Sequence, residues 1–132
     1  MAKSKPILGF YDVPMWKSIE HQNLQLQACG ACGKFRYPPG PVCPFCLSPH
    51  HEWRSVSGRG TILSWVIFQK QYFEDHVPPY NSIAVRLDEG PILISNLTGD
   101  TPDGSWISAK VQIAYRDQAG RMQHCFTLRS GD

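Results

Sequence analysis

Two matched cysteine turns, Cys29-Gly30-Ala31-Cys32 and Cys43-Pro44-Phe45-Cys46, stand ten residues apart and constrain this chain more than any other feature. A C-x-x-C turn aims both sulfurs at one point, and two such turns brought together supply the four tetrahedral thiolates that zinc favours. The residues between, 34 to 42, read as a short strand, a proline-stiffened turn and a return. Cys29, Cys32, Cys43 and Cys46 are therefore expected to hold one structural zinc in a ribbon, although iron satisfies the same rubredoxin-like geometry. Four cysteine ligands leave no open coordination position, so the metal is expected to fold the module and perform no chemistry. Disulfides are disfavoured, because residues 1–10 show no sustained apolar stretch followed by a small-residue cleavage site. Gly33 after the first pair suits a positive φ, whereas bulkier Leu47 follows the second, which predicts strain in that turn. His50 and His51 read as solvent-facing loop residues, and Cys125, within the alternating run Met122 to Leu128, as a small strand residue.

The remainder is punctuated differently. A length of 132 residues with 42% apolar content supports one core, with room for a small satellite module. Pro14 to Gln22 places Pro in a first turn and Met15, Trp16 and Ile19 at helical spacing, which predicts a short amphipathic helix. Its apolar stripe has two open destinations, its own chain or a partner. Leu24 to Gln27 alternates as a strand leading into the first cysteine turn. From Gly58 onward five β runs follow: Thr61 to Gln71, Asn81 to Asp88, Ile92 to Leu97, Lys110 to Gln118, and Arg121 to Arg129. The first is apolar on both faces, as for a long bent strand shared by two layers; the second and fourth alternate, with one buried face. Asp88-Glu89-Gly90-Pro91 and Asp117-Gln118-Ala119-Gly120 supply turns for two hairpins. The expected fold is mainly β: an N-terminal arm and short helix over 1–23, a zinc ribbon over 24–57, and a five-stranded OB-type barrel over 58–132.

Charge and motifs narrow the function. The formal net charge of +2 falls to about zero once four thiolates close on a divalent metal, which leaves little field for phosphate backbones. No apolar run approaches the roughly 18 to 20 residues that span a bilayer, so a cytoplasmic protein without membrane attachment is expected. None of His21, His50, His51, His76 and His124 lies in a recognisable catalytic spacing, and there is no P-loop or G-x-G-x-x-G. Gly58-Arg59-Gly60 is short for a phosphate cradle and suits the bend into the barrel; Arg59 serves that bend or reaches an anionic group. Tyr72 to Tyr80, with the rigid corner Pro78-Pro79, has two open readings, a contact surface, since a barrel core has no evident need of its aromatics, or simple packing.

Taken in order, Pro14-Met15-Trp16, Leu24 to Gly33, Arg36-Tyr37-Pro38-Pro39, Cys43 to Cys46, Gly58-Arg59-Gly60-Thr61, Pro78-Pro79-Tyr80 and Leu87 to Pro91 resemble the acyl-CoA-associated zinc-ribbon/OB-fold family, first catalogued as a domain of unknown function. The resemblance runs from about Pro14 to about Leu128. It implies a helix, a rubredoxin-like zinc ribbon and an OB barrel. It also implies a partner: members are usually small subunits of thiolase-superfamily enzymes, sometimes of acyl-CoA hydratases or aldolases, where they bridge subunits or help hold acyl-CoA. The expectation is a non-catalytic accessory or scaffolding subunit, with Trp16, Arg59, Tyr72, Pro79 and Tyr80 as partner or ligand contacts. Leu47, and Ala109 before the fourth barrel strand, stand where the family usually carries glycine. The alternative is a single-stranded nucleic-acid binder, with Trp65, Tyr72 and Tyr115 stacking bases beside Lys70, Arg86 and Arg116.

Overall fold

A computed structural model describes residues 9–129. Helix α1 (Val13–Glu20) begins with Pro14 in its first turn, where the missing N–H costs nothing. It ends where Gln22 enters the left-handed region (φ +56°) and donates to the Ile19 carbonyl at 2.9 Å. A helix of eight residues is marginal alone. Its stability comes from the buried face of Met15, Ser18 and Ile19, which docks against β1 (Gln25–Cys29) and β8 (Arg121–Leu128).

The ribbon sheet has the order β2-β1-β3, with β2 spanning Phe35–Arg36 and β3 His51–Ser55. The return strand expected within 34–42 does not form, because three prolines and a glycine follow Tyr37. The other edge of β1 is filled instead by β3, in the register Gln25↔Ser55 to Cys29↔His51. His51 thus stands on a strand rather than in a loop, with its side chain still exposed.

The barrel is a curled sheet ordered β6-β5-β4-β7-β8, where β4 is Arg59–Phe68, β5 Tyr80–Leu87, β6 Ile92–Ser95 and β7 Lys110–Gln118. As expected of its apolar pattern, β4 is long and bent: a bulge lies between Ile62 and Ser64, and only Arg59 to Thr61 pair with β7. A parallel bridge, Leu97↔Phe126, brings β8 against the end of β6, with Thr98 N–H donating to the Phe126 carbonyl at 2.8 Å. The β6–β7 connection carries no helix among the described residues. Trp106 occupies that place, buried and stacked on Trp65 with ring centroids 5.7 Å apart.

One hydrophobic cluster crosses both modules. Met15 and Ile19 of α1, Leu24 and Leu26 of the ribbon, and Ile62, Val85 and Phe126 of the barrel belong to it. Tyr115 strengthens the junction by accepting the Leu24 N–H at 2.7 Å. Among the described residues no helix is long and apolar enough to cross a membrane.

Candidate metal centre and contact surfaces

The four ribbon sulfurs lie within 4.8 Å of one another, with Cys29 to Cys46 at 3.5 Å and Cys32 to Cys43 at 3.6 Å. A tetrahedron with Zn–S bonds of about 2.3 Å has edges of about 3.8 Å, so the donor set fits one tetrahedral ion. The two turns are built alike. Cys29 N–H donates to Lys34 O and Gly33 N–H to Cys29 O, at 2.9 and 3.0 Å; Cys43 N–H donates to Ser48 O and Leu47 N–H to Cys43 O, both at 2.9 Å. Gly33 has φ +78° and Leu47 φ +65°, so the second turn does force a branched residue into the left-handed region. Backbone N–H groups of Ala31 and Cys32 reach the Cys29 sulfur at 3.3 Å, and that of Phe45 reaches Cys43 at 3.4 Å. These donors favour thiolate, and the Cys32 amide above all brings the metal-free Cys29 thiol down to about 6. His50 and His51 stand outside the donor group. Cys125 lies buried on β8, accepting from the Thr98 hydroxyl at 3.7 Å.

The other candidate residues are dispersed. Trp16 is half-buried and stacks on His124, with centroids 6.4 Å apart, so the helix stripe docks on its own chain. Arg59, at the start of β4, is exposed and holds Nε 3.7 Å from the Asp88 carboxylate. At the far end of β4 the structure does bring Tyr72, Pro79 and Tyr80 together. Tyr80 stacks on Phe68 at 4.9 Å and leans on His76 at 5.2 Å, while Tyr72 meets the Phe68 edge and remains 53% exposed. Around this cluster Val66, Phe73, Val77 and Ile94 are also exposed. Val66 and Ile94 pair with Ser82 and Ala84, which alternate with buried Ile83 and Val85, so both point outward from the barrel.

The aromatic set of the nucleic-acid alternative does not share a groove. Trp65 faces Trp106, the Tyr115 hydroxyl is engaged with Leu24, and Arg116 donates to Asn96 and Gln118 at 3.2 Å.

Two features were not singled out as sites from the sequence. Ser95 on β6 and His124 on β8 meet at 2.7 Å between Oγ and Nδ1, pinning strands that share little backbone pairing. Burial first, and Arg116 second, lower the His124 pKa to about 4, so its ring is neutral near pH 7 and a weak base. No carboxylate pairs with it among the described residues, which leaves the pair without a third member to orient it. The second feature is a cleft of about 650 Å³ between ribbon and barrel, lined by Lys34, Arg36, Phe45, Arg86, Gly90 and Pro91 among others. Tertiary folding alone assembles it, from segments about fifty residues apart.

A rubredoxin-like four-cysteine ribbon fused to an OB barrel through a shared core defines a two-module class of protein. The ChsH2 zinc-ribbon family model matches residues 16–52 and the ChsH2 C-terminal OB-fold model matches residues 53–116. The chain belongs to this family, also called DUF35. It is 35% identical over 91 residues to a DUF35 domain-containing scaffold protein of Pyrococcus furiosus, covering 66% of each chain. It is 30% identical over 101 residues to a probable enoyl-CoA hydratase alpha subunit of Thermomonospora curvata, covering 76% of this chain but only 32% of that protein. Among solved structures, the Ltp2-ChsH2(DUF35) aldolase superimposes with a TM-score of 0.85 at 26% identity, covering 94% of this chain and 98% of that one.

Proposed function

We propose that this chain is a non-catalytic accessory and scaffolding subunit of an acyl-CoA-processing enzyme, that its partner is a thiolase-superfamily subunit, and that its ribbon metal is zinc, with iron able to substitute. The observation that carries the reading is the apolar face toward the far end of β4, where Val66, Tyr72, Phe73, Val77 and Ile94 are exposed on one barrel. An apolar surface of that kind, rimmed by polar side chains, suits a protein interface. The names of the relatives support the enzyme class: one is a scaffold protein, another a hydratase subunit, a third an aldolase assembly. Trp16, Arg59, Tyr72, Pro79 and Tyr80 remain the proposed contacts, with Tyr72, Pro79 and Tyr80 contiguous with the apolar face.

Co-expression with a thiolase-type subunit tests this. A stable hetero-oligomer is expected, in which residues 72–80 exchange amide hydrogen more slowly than in the isolated chain. Tyr72→Ala should weaken assembly by about 2 kcal/mol without changing the metal content, since the ring lies outside the thiolate cluster. Acyl-CoA turnover by the isolated chain would overturn the accessory reading; unchanged exchange at 72–80 in the complex would displace the contact surface.

A further inference from the structure

Strand β3 is the outer strand of the ribbon sheet, and its far edge is unpaired. Gly30 N–H donates to the His50 carbonyl at 2.9 Å and Val56 N–H to the Leu24 carbonyl at 3.1 Å, on either side of the continuous register Gln25↔Ser55 to Cys29↔His51. Hydrogen-bonded positions alternate along an antiparallel strand, so Glu52 and Arg54 turn their backbone groups to β1. His51, Trp53 and Ser55 turn theirs away, and no strand or helix pairs with them there among the described residues. The strand has no proline and no bulge, two of the usual devices that stop an edge from pairing.

Charge is the third device, and here it has the opposite effect. Glu52 and Arg54 stand on one face of β3, two residues apart, each half exposed, and pair with each other. An exposed pair of this kind adds little to the stability of a single chain. Under a two-fold axis through Trp53 the same two residues become complementary to themselves. The outward groups of Trp53 would exchange N–H···O=C bonds with Trp53 of a second copy, flanked by His51 opposite Ser55 on each side. Glu52 then lies directly opposite Arg54 of the other copy, twice over, in the closely spaced non-hydrogen-bonded pairs. On the other face the two half-buried Trp53 rings become cross-strand neighbours. The charges also fix the register. Sliding the pairing to centre on residue 52 sets Glu52 against Glu52, and centring it on residue 54 sets Arg54 against Arg54, each a like-charge clash.

We infer that β3 is a homodimer edge: it pairs antiparallel with β3 of a second copy about a two-fold axis at Trp53, joining two ribbon sheets into one. The interface is isologous, as such an axis requires. A single strand of five residues buries less than a stable dimer needs, so the dimer is weak, with Kd on the order of 100 µM. The inference is independent of the acyl-CoA reading, since the apolar face toward the far end of β4 lies on the barrel and takes no part in it.

Sedimentation equilibrium and amide exchange of the zinc-loaded, full-length chain, from about 10 µM to about 1 mM, test the inference. A monomer–dimer equilibrium is expected. As the dimer fills, the amides of His51, Trp53 and Ser55 should gain protection, while those of Glu52 and Arg54, already bonded to β1, should not change. Glu52→Arg and Arg54→Glu should each weaken association at least tenfold, and the double variant carrying both changes should restore it to within about threefold of the wild type. Ser55→Pro removes an outward N–H that the fold does not use, and should leave a monomer. Zinc content and the amide spectrum of the barrel show that each variant is folded. A chain that stays monomeric at about 1 mM, a double charge swap that fails to restore association, or concentration-dependent protection at residues 66–80 instead of the alternating pattern in β3 overturns the inference. Assembly with a thiolase-type subunit by the Ser55→Pro variant is read separately, and its failure bears on the subunit reading alone.

Discussion

Gly33 and Leu47 occupy equivalent places in the two cysteine turns, and only one of them is suited to its backbone. No atom lies within 4 Å of a Cβ built on Gly33, so Gly33→Ala isolates the cost of a left-handed side-chain-bearing residue. Urea unfolding of the zinc-loaded protein should show a loss of about 1 kcal/mol. Leu47 is exposed, so Leu47→Gly removes the same strain with little packing lost and should leave stability unchanged or raise it by up to about 1 kcal/mol. His124 carries a pH signature. Its folded pKa, about 4, lies below the ordinary 6.5, so the unfolded chain takes up the proton first as pH falls. The contribution is whole above pH 6.5 and declines between there and pH 4. Between pH 7 and pH 5 the wild type should lose about 2 kcal/mol more than His124→Asn, which keeps an acceptor for Ser95 but does not titrate.

At the scale of elements, the bend from ribbon into barrel rests on glycine. A Cβ on Gly60 would lie 2.7 Å from the Arg86 carbonyl oxygen and 2.5 Å from Val85 Cγ1, on the neighbouring strand. Gly58 (φ +79°) would meet the Ile113 side chain at overlapping distance. Gly60→Ala should therefore cost about 3 kcal/mol or more in thermal unfolding, since the obstacle includes backbone. Sequence periodicity located most barrel strands because their alternation is intrinsic: the run Lys110 to Gln118 is the observed β7. It missed β3, whose residues His51 to Ser55 are mostly exposed and lack an apolar face. That strand exists because β1 offers an open edge beside it. The left-handed residue before β7 is Ser108 (φ +74°), in a turn closed by the Ala109 N–H donating to the Trp106 carbonyl at 3.2 Å.

For the whole molecule, one core spans helix, ribbon base and barrel, while the thiolate cluster stands apart from it. Metal loss should therefore separate the two. Cys46→Ser should abolish stoichiometric zinc, measured by elemental analysis, and should remove hydrogen-exchange protection from residues 29–47 while β4 to β8 retain theirs. Full unfolding of the barrel on metal removal would show that the shared core depends on the ribbon. The four ligands were legible in the sequence because C-x-x-C spacing is local geometry that survives without tertiary context. So were the short helix, the hairpins and the OB class, each written in spacing or turn chemistry within a few residues. Tertiary structure alone decided that Trp16 packs on His124, that Trp65 turns inward to Trp106, and that Lys34 and Phe45 share a cleft with Arg86. Those outcomes depend on which surfaces meet across segments distant in the chain, and burial, pairing and charge balance between such segments leave no periodic trace in the sequence of either one.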